Sequence, residues 1–124
     1  MRTDSVNLSD QAKNQAKSMI ESDFGKEYHK ARAFKTKSAG AQEAHEAIRP
    51  TDLTKKPEEL VGVLDAQQLK LYTLIWKRTV ASQMADAVVE VTTFQFSPTK
   101  VPSQTWLTKG EVIKFDGYMK LYIE

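Results

Sequence analysis

The sequence contains no cysteine. Disulfides, thiolate metal sites and cysteine nucleophiles are therefore excluded, and the chain fits a reducing compartment. Histidine is scarce: His29 and His45 are the 2 present. Zinc chemistry of the His-Glu-x-x-His kind needs two imidazoles four apart on one helical face. The fourth residue after His45 is Arg49, and a guanidinium does not ligate a metal. His29 has no second ligand at a useful spacing, so no metal site is expected. The carboxylates are scattered, with none in the D-x-D spacing of a two-metal site. There is no Gly-rich phosphate loop and no nucleophilic serine elbow. No apolar run is long enough to span a membrane, and no signal peptide is visible, which makes the cytoplasm the expected location. Neither charge sign dominates. With 18 basic and 16 acidic residues, a net charge of +2 is too small to prove a polyanionic partner.

The 124 residues are 40% hydrophobic and 27% charged. That suits one ordinary soluble domain, or a helical and a β part of something larger. No internal repeat is visible. Ser9 can cap a helix running to about Phe24, with Ala12, Ala16, Met19 and Ile20 on one stripe and Gly25 as the stop. Residues 26–41 read as a basic loop ending in Ser38-Ala39-Gly40. Glu43 to Arg49 has good helix formers, and Pro50 should end that turn. Pro57 opens a short helix over residues 58–61. A stronger helix spans Asp65 to about Met84. Asp65 and Gln68 have capping-box spacing, and Leu69, Tyr72, Ile75, Trp76, Val80 and Met84 recur at helical intervals as core.

The character changes near Asp86. Residues 88–96 are β-branched and aromatic and read as a strand; 97–103 read as a turn. Residues 105–108 and 111–115 read as two more short strands around Lys109-Gly110. After the bend at Asp116-Gly117, residues 118–124 form a last strand or a tail. The fold class is α+β: a helical N-terminal two-thirds, then a small antiparallel β unit. Both ends read as cut: Met1-Arg2-Thr3-Asp4 begins abruptly, and Leu121-Tyr122-Ile123-Glu124 stops inside an apolar pattern.

Two clusters carry the chemistry. His45 and Arg49 are i, i+4, and on a helix they would share a face. A protonated imidazole beside an Arg fork suits a phosphate oxygen. Local ion pairing on a surface helix, with Glu43 or Glu46 holding the cations, explains the same spacing. Arg2-Thr3-Asp4-Ser5 can bind phosphate with Asp4 fixing Arg2, or it can simply make a turn. The basic residues of 26–37, interleaved with Tyr28 and Phe34, can stack and bind a single strand or stay a solvated loop.

Taken together these clusters resemble a known family. Met1-Arg2-Thr3-Asp4-Ser5, followed by Gln42-Glu43-Ala44-His45-Glu46-Ala47-Ile48-Arg49-Pro50-Thr51, closely resembles the type IA DNA topoisomerases of bacteria. Leu71-Tyr72-Thr73-Leu74-Ile75-Trp76-Lys77-Arg78, Ser82-Gln83-Met84 and the later 110–118 segment are similar to that family too, in the same order. The resemblance implies relaxation of negatively supercoiled DNA by single-strand cleavage, a 5′-phosphotyrosyl intermediate, strand passage and religation. In the family the catalytic tyrosine immediately precedes the Met-Arg-Thr-Asp-Ser motif. The chain is thus expected to be an internal, inactive piece that lacks the nucleophile. Residues 1–85 would belong to the tyrosine-bearing domain and 86–124 to the β hinge domain of the ring. By the same resemblance Arg2 and His45 take catalytic roles at the phosphate. Asp4 and Glu43 support them, and Gln42 and Arg49 contact DNA. Mg²⁺ would be bound by a domain outside these residues. The expected partners are single-stranded DNA and the rest of the topoisomerase chain, with no membrane, and dimers through exposed strand edges are a further expectation. Two rival readings are a non-enzymatic single-stranded DNA-binding module and a helical scaffold without DNA preference.

Overall fold

The computed structural model describes residues 1–35 and 45–122. Two helices precede a two-stranded antiparallel sheet, the α+β order the sequence implies. Helix α1 spans Asp10–Asp23. Ser9 caps it, its hydroxyl accepting from the Ala12 N–H at 3.2 Å. It stops where Gly25 takes a φ of 116° and donates its N–H to the Ile20 carbonyl at 3.1 Å. Helix α2 spans Ala66–Ser82. Both halves of its capping box form: Gln68 N–H to Asp65 Oδ1 at 2.8 Å, and Asp65 N–H to Gln68 Oε1 at 3.2 Å.

The apolar stripes of α1 and α2 meet in one core. Ala16, Met19 and Ile20 pack against Trp76, Val80 and Met84, with Leu53 between them. Leu53 comes from a loop that sequence patterning left unassigned, and it is fully buried. Its backbone polar groups must find partners there. Gln15 Oε1 accepts the Leu53 N–H at 3.3 Å, and Trp76 Nε1 donates to the Leu53 carbonyl at 2.9 Å. A 3-10 turn, Pro57–Leu60, follows where Pro57 was expected to start one.

The expected helical turn at Glu43 to Arg49 is not present in its described part, residues 45–49. The backbone there pairs sideways instead of with itself. Arg2 N–H donates to the Glu46 carbonyl at 2.9 Å, and Ala47 N–H to the Asn7 carbonyl at 2.8 Å. The i, i+4 argument for His45 and Arg49 therefore does not hold.

Strand β1 (Val88–Phe96) pairs with β2 (Trp106–Phe115), running from Val88 opposite Phe115 to Phe96 opposite Trp106. The two short strands expected around Lys109-Gly110 are one continuous strand. Gly110 pairs with Thr92, and the Phe94 ring lies 3.8 Å from where a Gly110 Cβ would stand, so a neighbouring aromatic covers the gap. No third strand follows among the described residues. Gly117 adopts a φ of 49° and turns the chain back, Tyr118 N–H donates to the Ala85 carbonyl at 2.9 Å, and Gly117–Leu121 forms a 3-10 turn. Leu121 then packs against the helical core.

Candidate functional site

The N-terminal segment and residues 45–49 build one platform. Beyond the two backbone pairings, the Ser5 hydroxyl donates to the His45 carbonyl in a short contact. Ser5 is itself buried, so this hydroxyl fastens the segment rather than facing a ligand. Residues 3–4 form a turn, and Arg2 Nε lies 3.2 Å from Asp4 Oδ1, both side chains half exposed. Asp4 thus orients Arg2, one of the two roles the sequence offered it. The fold thus brings the segment that carries Arg2 and Asp4 against the backbone of residues 45–47, although 40 positions separate Ser5 from His45.

Glu46 is the pin of this platform. Its Oε1 accepts the Ser9 backbone N–H at 2.6 Å, and it holds Arg49 through Nη2 at 3.0 Å and Nε at 3.3 Å. Hydrogen bonds from Ser9, then from Arg49, pull the Glu46 carboxyl from its ordinary 4.5 to about 2. Arg49 also donates to the Pro50 and Thr51 carbonyls at 3.0 and 3.5 Å, and its side chain is only 12% exposed. Arg49 therefore holds this turn, through Glu46 and the two carbonyls that follow it. Gln42 and Glu43 lie outside the described residues.

Beside the platform opens a cavity of about 650 Å³. Arg2 enters it from the N-terminal segment, Phe34 and Lys35 from the extended stretch after α1, and Arg78 from α2. Val6, Leu8 and Ile48 supply apolar wall. No carboxylate is among its described lining residues. On the α2 side, Thr79 and Ser82 donate their hydroxyls to the Ile75 and Thr79 carbonyls at 2.8 and 2.6 Å, which leaves only their lone pairs for a ligand. Sequence reasoning gave Arg78 no role. The available signal was a cation one turn before Ser82, off the apolar stripe, and such a residue alone reads as solvated helix surface.

The basic stretch splits between two uses. Phe34 and Lys35 face the cavity, as a strand-binding reading expects. Tyr28, Lys30 and Arg32 instead secure the base of the β ribbon. Tyr28 donates to Asp116 Oδ1 at 2.6 Å and packs on Phe115 with ring centroids 4.8 Å apart. Lys30 Nζ lies 3.3 Å from Asp86, and Arg32 pairs with the same carboxylate. Tyr28 is therefore no exposed stacking platform. Nor is it poised as a nucleophile: the bond to Asp116 first, and desolvation second, raise its hydroxyl's pKa. Burial raises that of Tyr72, which donates to the Lys55 carbonyl at 2.6 Å. Among the described residues no three His, Asp or Glu side chains gather in a way that would hold a metal ion.

The sequence profile of the DNA topoisomerase family matches residues 1–124. The chain belongs to the DNA topoisomerase family. It is 45% identical over 124 residues to DNA topoisomerase 1 of Campylobacter jejuni, covering 98% of this chain and 17% of that protein. It is likewise 45% identical over 126 residues to DNA topoisomerase 1 of Synechocystis, covering 100% of this chain and 14% of the relative. The fold agrees. Full-length topoisomerase I from Thermotoga maritima superposes with a TM-score of 0.77 at 41% identity, over 100% of this chain and 19% of that one. The resemblance to bacterial type IA topoisomerases is thereby established. The chain spans less than a fifth of the length of these topoisomerases.

Proposed function

We propose that this chain is part of a type IA DNA topoisomerase and supplies a phosphate-holding wall of its strand-cleavage site. One observation carries the reading: Arg2, Lys35 and Arg78 surround a single cavity with Phe34, and no described lining residue is acidic. Backbone phosphates are anionic and bases have π faces, so cations and an aromatic ring together suit a single strand. In the reaction a tyrosine hydroxyl oxygen attacks phosphorus. The P–O3′ bond breaks, the 3′ oxygen leaves with a proton equivalent to the one tyrosine lost, and a 5′-phosphotyrosyl ester remains. Religation runs the same exchange backwards after another strand has passed, which relaxes negative supercoils. Charge that builds on the phosphoryl oxygens is met by fixed donors, Arg2 foremost and His45 beside it, with Asp4 aiming Arg2. Glu46 and Arg49 keep the His45 turn in place, and Gln42 and Glu43 retain the strand-contacting and supporting roles that the resemblance gives them.

On this reading the tyrosine comes from another part of the enzyme. Magnesium belongs to an acidic cluster elsewhere too; the described residues gather no ligand set for it, and no step above runs through it. Residues 1–85 are assigned to the tyrosine-bearing domain and 86–124 to the β hinge domain. The described residues include no helix long and apolar enough to cross a membrane, and the enzyme is assigned to the cytoplasm, on the nucleoid.

Fluorescence anisotropy of a labelled single strand over a salt series tests the cavity. Arg2→Ala and Arg78→Ala should each lower the log–log salt slope by about 0.7; unchanged slopes would refute the phosphate wall. In a full-length enzyme, Arg2→Ala should slow relaxation by roughly 10²-fold or more, beyond any loss of binding. Equal losses in both would leave a DNA-binding module without a catalytic role for Arg2.

A further inference from the structure

The surface does not close beyond the Arg2 cavity. A pocket of about 160 Å³ adjoins it, sharing Val6, Leu8 and Phe34. A third, of about 650 Å³, adjoins the second, sharing Lys13, Arg32 and Gln83. Together they form a trough from α2, past the extended residues 29–35, to α1. Its far end is again cationic: Lys13, Lys17 and Arg32 line it, and Asp10 is the one carboxylate among its described lining residues. Asp10 does not neutralise that end. It pairs with Lys13 at 3.4 Å with its own side chain 95% exposed, and an ion pair so open to water contributes little and exchanges readily. Arg32 spends its charge partly on Asp86, yet its Nε–H is buried without an acceptor among the described residues.

We propose that a single nucleic-acid strand seated at Arg2 continues along this trough, with Lys13 and Lys17 holding phosphates several nucleotides away. Lys13 and Lys17 stand one turn apart on α1, a rise of ~6 Å, comparable to the step between neighbouring phosphates of an extended strand. Phe34 borders both the Arg2 cavity and the linking pocket, where a base between the two phosphate sites can stack. The occupant is a polyanion because the lining charges are cationic at both ends. It is a single strand because stacking on Phe34 needs an unpaired base. The inference rests on the Arg2 cavity taking DNA, and its test separates the two.

The test compares two labelled strands, of about four and about sixteen nucleotides, against the whole chain over a salt series. Lys13 and Lys17 are replaced together by Gln; both lie on the solvent side of α1, partly or fully exposed. A second pair, Lys100→Gln with Lys109→Gln, makes the same charge change on the exposed β unit. The α1 pair should lower the salt slope for the longer strand by about 1.4, two contacts at ~0.7 each, and leave the short strand unchanged. The β pair should change neither. Equal losses on both lengths, equal losses from the β pair, or no loss from the α1 pair would each overturn the proposal. Arg2→Ala runs in parallel. If it leaves the short strand's binding intact while the α1 pair weakens the longer one, the trough stands and the Arg2 reading falls. Binding of neither strand by the unaltered chain overturns both.

Discussion

The helical body and the β ribbon both carry large apolar side chains, and only the body buries them. Ile20, Leu53, Val80 and Met84 are 0% exposed, whereas Phe94, Phe96, Trp106 and Leu107 are 50–67% exposed. The difference is one of layers. Two amphipathic helices and the Leu53 loop close a core between them, but a two-stranded sheet has two faces, and here nothing among the described residues covers either. The ribbon is therefore secured at its base, where Tyr28, Arg32 and Lys30 grip Asp116, Phe115 and Asp86. A patch of this size is a candidate interaction surface.

If this contrast is right, equal truncations should differ sharply. Ile20→Ala, in the body, should destabilise by about 3–4 kcal/mol in urea unfolding. Gly117→Ala comes next, at about 2–3 kcal/mol, because an added Cβ would stand 2.5 Å from the Ala85 and Asp86 carbonyl oxygens in a left-handed backbone. Faster amide exchange confined to the ribbon would sharpen the picture of a base clamp; uniform exchange would break it.

Glu46 gives a smaller effect with a pH signature. Its folded pKa is about 2 against an ordinary 4.5. A depressed carboxylate contributes its stability fully above about pH 4.5, and that contribution fades as pH falls from there to about 2. Solvent on its open side limits the size to about 1 kcal/mol. Glu46→Gln should flatten the acid limb of stability against pH by that amount, and an unaltered limb would mean that Ser9 and Arg49 do not hold the charge. The smallest effect belongs to the ribbon. Phe94→Ala should cost under about 0.5 kcal/mol in a monomer. A larger loss, accompanied by a dimeric mass in solution, would show that the open faces pair between chains.

Legibility followed the range of the forces. Ser9, Gly25 and the Asp65–Gln68 box set helix ends through hydrogen bonds within four or five residues, so the sequence announced them. The α1 and α2 stripes named most of the core for the same reason. Leu53 was silent, since its burial depends on Gln15 and Trp76 arriving from two helices. Gly110 looked like a break and is a strand residue, because Phe94 across the ribbon covers it. In the site, residue chemistry marked Arg2, Asp4 and His45 as phosphate-binding candidates with equally good local alternatives, and only the resemblance gave them catalytic roles. Lys35 was legible only as part of a basic stretch, and Arg78 was not singled out, because a lone cation has no meaning until the fold places it beside others.

The sequence by itself determined the helices, their caps, the strand-forming segments and the family, all written in short-range spacing. The tertiary structure alone decided that residues 45–49 pair with the N-terminal segment instead of coiling. It alone decided that Tyr28, Lys30 and Arg32 secure the ribbon while Phe34 and Lys35 face a cavity. The physical reason is common to both: backbone groups and charges take the partners that folding brings within about 3 Å, and those partners lie tens of residues away in the chain.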